Sequence, residues 1–459
     1  MAESDRQLFV STVASDNGVS IEFNQNSYPI LYPRNHWNAT PVETRTALRD
    51  SLALASTMHL PIIFGRSSII YNTPRTVLEP YFYENFHRDI PSCTEVDGTD
   101  TNALMQQFFN TNYVFSREPI NLPSHVPVDS PERAVVGMSF GKDSLLTYAV
   151  AQELGLDPEI VYIIEESMTY EQKHKTLLGE QWKKEFGKDT HILHHDTGKL
   201  RDYVHLGLPR SEFGWALQNT EYALDFIPFA YGLNAKYLLF GNEQTASATY
   251  MDEKGEWTVY PCFDQSHEWT VHIDQITRMF SGGSTQTGSL IEPLMDMMVQ
   301  RTLVHRYPEI AKYQMSCFTE TEAGRDYRWC HSCSVCAKMY LLCAGSGVDP
   351  KSVGFRENML DVDKTQYFTL FGGKSELTYL NSDTARDEQL FAFYCAAQKG
   401  AKGTLVEKFK VSELYKEAKE RETELFKTFV SLYEPISVPP ELESSVMSIY
   451  REEVDSFEI

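Results

Sequence analysis

The chain has 459 residues, 42% of them apolar and 23% charged, with a formal net charge of −23. This composition excludes a disordered chain and gives ample interior for about two or three packed domains. The acidic excess argues against non-specific binding to nucleic acid or an anionic membrane, because phosphate contacts need Lys and Arg. A nucleotide substrate in a local basic pocket is still admitted. The first seven residues are polar and lack the apolar core of a signal peptide, and no apolar run approaches the ~18 residues of a membrane span. Of the eight cysteines, Cys317, Cys330, Cys333 and Cys336 cluster, while Cys93, Cys262, Cys343 and Cys395 are scattered. That usage fits a metal site in a reducing compartment better than a disulfide scaffold, so a cytoplasmic protein is expected.

In chain order, residues 1–125 read as a mixed α+β region of unassigned role. Strand-like pieces fall at 19–23 and 61–64, and 41–58 has helical periodicity behind an N-terminal Pro. No catalytic motif stands out there. A Pro-rich stretch, 119–131, leads into a second region, 126–375, that alternates strands and helices. The pattern predicts strands over 134–138, 159–164, 191–194 and 237–240, with helices over 144–154, 170–186 and 215–231. This is the signature of an α/β fold, a doubly wound and mostly parallel sheet with helices on both faces. Ligands of such sheets sit beyond the carboxyl ends of the strands, where the 139–144 loop, Glu165 and Gly241-Asn242-Glu243 would fall. A helical region, 376–459, closes the chain. Its charged stretch 411–432 carries Leu414, Tyr415, Ala418, Leu425 and Phe429 at helical spacing, as expected of a packed terminal helix.

The most informative segment is Arg133-Ala-Val-Val-Gly-Met-Ser-Phe-Gly-Lys-Asp-Ser-Leu-Leu146. A β-branched run breaks into a small polar loop and then an apolar-periodic helix. Strand, tight loop and helix N-terminus together make an anion site, because unpaired N–H groups and the helix dipole both point at the loop. A Walker A loop is excluded: Gly137 and Gly141 enclose three residues rather than four, and Lys142 is followed by Asp143 rather than Ser or Thr. The plainer alternative is an ordinary strand–turn–helix in which Asp or Ser caps the helix.

Three other constellations carry chemistry. Cys330, Cys333 and Cys336 recur at two-residue intervals with Cys317 thirteen positions upstream, a set suited to a closed, structural zinc site; His331 or Cys343 could replace Cys317. A buried strand ends at Gly241, after which Asn242 could read an amide or ring edge and Glu243 could hold Mg²⁺ or act as a base; a plain turn is the alternative. The segment Tyr260-Pro-Cys-Phe-Asp-Gln-Ser-His-Glu-Trp269 packs Cys262, Asp264, His267 and Glu268 together for proton transfer or, more plainly, for a helix cap.

The loop resembles the PP-loop of the ATP pyrophosphatase superfamily, Ser-Gly-Gly-x-Asp-Ser, with Ser139, Gly141, Asp143 and Ser144 matching and Phe140 where the first Gly is usual. The resemblance implies a PP-loop (HUP-like) fold that grips the β,γ-pyrophosphate of ATP and yields AMP and pyrophosphate. Two families in that superfamily carry a four-cysteine zinc site. 7-cyano-7-deazaguanine synthase is about half as long and lacks an N-terminal region. The UDP-N-acetylmuramoyl-L-alanyl-L-glutamate epimerase family is similar in length, in its Gly241-Asn242-Glu243 and Trp329-Cys-His-Ser-Cys-Ser-Val-Cys-Ala337 segments and in its long N-terminal region. The likeness spans about residues 130–375, including Leu290-Ile-Glu-Pro-Leu294.

Membership of the epimerase family would imply an isomerase of peptidoglycan (cell-wall) biosynthesis that inverts the terminal L-Glu of UDP-N-acetylmuramoyl-L-Ala-L-Glu, using ATP, Mg²⁺ and a structural Zn²⁺. Ser139, Gly141 and Ser144 would hold pyrophosphate, Lys142 would neutralise it, and Asp143 would hold Mg²⁺ or the loop backbone. Gly241 and Asn242 would line the nucleotide site. The base is left open among Asp264, His267 and Glu243, with Cys262 a fourth choice if its thiol pKa is depressed. The alternative is an amide- or nitrile-forming ligase like the synthase, or a tRNA-modifying PP-loop enzyme. The expected partner is a small molecule, with no membrane and no nucleic acid; the oligomeric state is open.

Overall fold

The computed structural model describes residues 7–129, 133–165, 168–209, 211–373, 375, 380 and 382–459. Twelve strands are present among the described residues: β1 (Gln7–Ser15), β2 (Gly18–Phe23), β3 (Asn26–Leu31), β4 (Ser68–Tyr71), β5 (Asn112–Val114), β6 (Ala134–Gly137), β7 (Glu159–Glu165), β8 (Thr190–His195), β9 (Tyr237–Leu239), β10 (Tyr250–Met251), β11 (Thr258–Val259) and β12 (Gln286–Gly288). β10 and β11 form a small ribbon, and the other ten make one sheet in the order β12-β9-β6-β7-β8-β3-β2-β1-β4-β5. Pairing is parallel from β12 to β8, antiparallel through the β3-β2-β1 meander, and parallel again through β4 and β5. The chain is therefore a mixed α/β protein with a large, mostly parallel sheet and many helices.

The apolar run at 134–136 forms a central strand because both faces of the sheet are covered. Ala134 and Val136 point into one core, built with the C-terminal helices, while Val135 points into the other, built with the N-terminal region. Ile160 and Val161 of β7 divide the same way, as do Leu239 and Leu238 of β9. The sheet passes without a break into residues 7–31, because Ile30 and Leu31 of β3 pair with His195 and His194 of β8. Among the described residues no helix is long and apolar enough to cross a membrane.

Several expected elements differ in detail. Of residues 61–64, expected as a strand, 61–63 lie in the helix Leu60–Ile63 and Phe64 caps its end, with Pro61 in the first turn; a proline lacking an N–H suits that position. The helix expected over 215–231 is split into Gln218–Asp225 and Ile227–Leu233; Pro228 starts the second piece, since its ring cannot continue a helix from the first. The stretch 411–432 likewise breaks into Glu413–Glu420 and Glu422–Phe429, with Ala418, Leu425 and Phe429 buried and Leu414 and Tyr415 partly so. The Pro-rich stretch is irregular but fastened: Ser124 N donates to Thr44 Oγ1 at 3.0 Å and Val128 N to Ser284 Oγ at 2.7 Å. Its residues 130 and 131 lie outside the described residues.

At the β12 edge, the segment around residues 433–441 covers the sheet. Tyr433 N donates to Pro293 O at 3.0 Å, and the Glu292 carboxylate accepts from Ile436 N at 2.8 Å and Ser437 N at 3.1 Å. Covering an edge in this way removes a template for unwanted pairing. Burial pushes the Glu292 carboxyl up to about 7. An acid raised in the folded state stabilises the fold below its unfolded pKa, and loses that contribution as pH rises through the folded value. The protein is therefore expected to lose on the order of 1–3 kcal/mol between pH 4.5 and 8 from this group alone. Glu292→Gln, which keeps an acceptor but cannot ionise, should flatten that part of the profile. Urea denaturation at both ends of the window tests this, and an unchanged slope in the variant would assign the dependence to other groups.

Candidate active site

A cleft of about 580 Å³ opens beyond the carboxyl ends of β6, β7 and β9. Its walls include Ser139, Gly141, Lys142, Asp143, Ser144, Gly241, Asn242, Glu243, Cys262 and Asp264, so every residue singled out for nucleotide or acid–base work meets there except His267 and Glu268, the latter accepting from Tyr260 OH at 2.8 Å. His267 instead has its Nδ1 3.9 Å from an oxygen of Glu292, the residue that holds the 433–441 segment.

The loop follows β6 and the helix begins at Lys142, two residues before the expected start, with Gly141 as N-cap and no side-chain cap. Its donors are only loosely engaged: Gly141 N reaches Ser139 Oγ at 3.3 Å and Lys142 N reaches Ser316 Oγ at 3.4 Å. Hydroxyls at such distances exchange readily for a stronger anionic acceptor. Ser139 and Ser144 hydroxyls lie 3.2 Å apart, and Ser144 Oγ donates to Gly141 O at 3.1 Å. Gly241 is fixed by proximity: a Cβ there would come within 2.7 Å of Asp143 Cβ and 2.9 Å of its carbonyl carbon. The absent side chain lets β9 abut the helix start.

Phe140 takes the left-handed conformation, φ 56°, that a glycine would adopt freely. Its ring is fully buried, 6.1 Å from Trp182 in an edge-on contact. The path of the loop is thus kept, at a backbone cost of roughly 1–2 kcal/mol, because the ring is anchored in the core. Phe140→Gly is expected to relieve that strain but open a cavity, whose larger penalty for losing a buried Phe is about 3–5 kcal/mol. The net expectation is a loss of roughly 2 kcal/mol in a denaturation series; a gain would show that strain outweighs packing.

Beside the loop, oxygens of Asp143, Glu243 and Asp296 lie within 4.8 Å of one another. The Lys142 ammonium pairs with Asp143 and Asp296, and Lys338 pairs with Asp296 and, at 3.3 Å, with Glu388. Burial acts against the Asp296 charge, but the two ammonium groups hold its carboxyl well below the usual range. Glu243 is in the opposite position. Burial, then the Asp296 charge, push its carboxyl well up, and its Oε2 accepts no hydrogen bond. An orphaned carboxylate oxygen beside two further carboxylates suits a hard divalent cation with oxygen ligands. Asn242 is tied into the frame, its Nδ2 donating to Thr270 at 3.0 Å and its N–H to Ser289 at 3.2 Å.

The cysteines Cys317, Cys330, Cys333 and Cys336 converge, with all four sulfurs within 4.8 Å of one another, Cys317–Cys333 at 4.0 Å and Cys330–Cys336 at 3.6 Å. Sulfurs around a tetrahedral zinc stand about 3.8 Å apart for bonds of about 2.3 Å, so the spacing is compatible with that ion. His331 faces away, accepting from Arg356 N at 3.1 Å, and Cys343 is engaged by Gln300 at 3.2 Å. The cluster is tied to the loop twice. Met315 N donates to Phe140 O at 2.7 Å just before Cys317, and Lys338, on the helix that carries Cys336, grips Asp296.

Two buried networks were not anticipated. At the end of β7, Glu165 lies 3.2 Å from His195 Nδ1 and 3.1 Å from Arg201, and accepts from Tyr222 OH at 2.5 Å; His195 also meets Glu221 at 3.1 Å and Asp225 at 3.2 Å. Ser56 and Tyr32 of the N-terminal region hydrogen-bond Glu221 and Asp225. Burial raises Glu221, but Arg201 and His195 outweigh it and bring its carboxyl to about 2. The other network places Asp89, Ser92 and Cys93 of the helix Glu79–Asp97 in the cleft beside Cys262 and Asp264. The Cys262 thiol is not depressed; burial, then Asp264, push it up, so it acts as a thiolate only if a neighbour takes its proton.

No protein-family model matches the chain, and no curated protein matches it.

Proposed function

We propose that the protein is an ATP-dependent, carboxylate-adenylating epimerase of the PP-loop type. It would act in the cytoplasm on the terminal L-Glu of UDP-N-acetylmuramoyl-L-Ala-L-Glu or a related peptide, releasing AMP and pyrophosphate. The observation that carries the reading is one cleft that joins an uncapped helix N-terminus to the Asp143–Glu243–Asp296 carboxylates. The loop N–H groups with Ser139 and Ser144 would receive pyrophosphate oxygens. Asp143, Glu243 and Asp296 would hold Mg²⁺, which supplies charge neutralisation for the phosphates. Cys317, Cys330, Cys333 and Cys336 would hold a structural zinc.

The chemical case for ATP is direct. A free carboxylate repels the second negative charge that loss of the α-proton creates. Adenylation removes the first charge and lets the carbonyl delocalise the carbanion, so an ordinary base suffices. Hydrolysis of the mixed anhydride completes the turnover.

The test is one incubation in D₂O with ATP, Mg²⁺ and UDP-N-acetylmuramoyl-L-Ala-L-Glu, following AMP and pyrophosphate by phosphorus NMR and the Glu α-carbon by mass spectrometry. AMP, one α-deuteron and D-Glu are expected. AMP without α-exchange would move the protein to the amide-forming ligases, and neither signal would exclude this substrate.

A further inference from the structure

The epimerase reading requires a group that takes the α-proton, and one wall of the cleft is built for proton transfer by two distant parts of the chain. Cys262 is half-buried and lines the cleft. Its Sγ donates to Asp264 Oδ1 at 3.2 Å. Asp264 is 2% exposed and doubly oriented, accepting from Asn219 N at 2.8 Å and Asn219 Nδ2 at 3.1 Å. Asp89, from the N-terminal region, grips the same segment. Its Oδ1 accepts from Phe263 N at 3.0 Å and its Oδ2 from Asn85 Nδ2 at 2.7 Å. Phe263 in turn packs 5.3 Å from Trp269, so the segment 262–264 is held from below as well. All three groups line the cleft, and Cys262 is the most exposed of them.

We infer that Cys262 is the catalytic group that exchanges a proton with the substrate α-carbon, with Asp264 as its buried proton partner and Asp89 as a positioning residue supplied by the N-terminal region. The inference rests on the epimerase reading of the cleft. Cys262 first passes its own proton along the hydrogen bond to the Asp264 carboxylate. The thiolate then takes the α-proton as the Cα–H bond breaks and its electron pair enters the π-system of the activated acyl carbonyl. Water in the cleft gives a proton to the opposite face of the carbon, and the hydroxide left behind takes the proton held by Asp264.

Electrostatics agree with a partner behind the thiol. Burial, then Asp264, keep Cys262 protonated at rest, so it needs a nearby acceptor. Burial raises Asp89 as well, with the Asp264 charge adding to it, and raises Asp264. The other titratable and charged groups that act on this cluster are Glu243 and Arg201, with Cys93 beside Asp89 and itself facing Glu212 and Asp97. Two buried carboxyls acting on each other each favour the protonated form of the other, so Asp264 can hold the proton it receives.

The test separates adenylation from proton exchange in the full-length protein with ATP, Mg²⁺ and the UDP-linked dipeptide in D₂O. Cys262→Ser should lower α-deuteration at least 100-fold while AMP release stays within about threefold of wild type. Asp89→Asn should lower α-deuteration about tenfold and displace the acid limb of its pH profile, with Asp89→Glu restoring part of the rate. Alkylating the wild-type protein with iodoacetamide, with Cys262→Ser as the insensitive control, gives the same reading without a folding question. Wild-type exchange in Cys262→Ser, or AMP release lost in step with exchange, overturns the assignment and leaves the epimerase reading standing. Absence of α-exchange in the unaltered protein overturns the reading itself.

Discussion

Replacing Asp296 by Asn is expected to lower ATP-dependent AMP release by more than about 100-fold and to cost about 3–5 kcal/mol of stability. Asp296 is 2% exposed and is the hinge of the charge cluster: one oxygen pairs with Lys142 of the loop helix, the other with Lys338 of the cysteine helix. An amide of the same shape leaves two buried ammonium groups short of a counter-charge, and removing one partner of a buried pair is far more damaging than removing both. Glu388, 3.3 Å from Lys338, offsets part of the loss at one end, whereas Lys142 keeps its ion pair with the half-buried Asp143 and the weaker attraction of Glu243. The pH dependence has a definite sign. A carboxyl held below its unfolded pKa contributes stability above that pKa, and the contribution disappears as pH falls through the folded value. Wild type and Asp296→Asn should therefore differ most in urea at neutral pH and converge in acid. Equal stability at pH 7 would show that the lysines find other partners, and retained AMP release would remove Asp296 from the metal set.

Cys336→Ser is expected to be the other severe change. Cys336 is fully buried, and its sulfur ties the helix Ser334–Gly345 to the irregular segments that carry Cys317, Cys330 and Cys333. One ligand fewer should abolish stoichiometric zinc by elemental analysis and lower the melting temperature by about 10 °C or more, since such sites contribute folding energy outright. The loop should suffer before the fold does. Met315 and Lys338 tether the cluster to Phe140 and Asp296, so mild chelation of the wild type should remove AMP release at temperatures where circular dichroism is unchanged. Parallel loss of both signals would make the cluster a simple staple with no hold on the loop.

The doubly covered sheet was legible because β6, β7, β8 and β9 are short apolar runs separated by amphipathic helices, a pattern local to each segment. The cysteine cluster was legible for a related reason: three of its ligands sit within seven residues. Gly241 was marked as a strand end, although its need to clear Asp143 is visible only when β9 lies against the helix start. Asp296, Ser316, Lys338 and Asp89 were missed because nothing in their neighbourhoods sets them apart. Asp296 follows an apolar segment by one residue, and Asp89 sits mid-helix among aromatics. Each acquires a role only through a partner tens to hundreds of positions away. His267 shows the converse, a residue with the right chemistry whose helix places it beside Glu292 instead of in the cleft. The strand expected at 61–64 was lost because four apolar residues fit either element and Pro61 starts a turn of helix at no cost.

The uninterrupted sheet also bears on how the protein is made. β1, β2 and β3 are joined by tight turns and can pair as soon as they leave the ribosome, but the outer edge of β3 has its partner in β8, some 160 residues later in synthesis. Until His194 and His195 emerge, that edge is an open template for other strands. Such long-range closure is slow compared with local pairing. The nascent chain should thus be most vulnerable to aggregation, and most dependent on chaperones, between completion of β3 and completion of β8. A ribosome-stalling series spanning those lengths would show the protection of β3 appearing abruptly rather than by degrees.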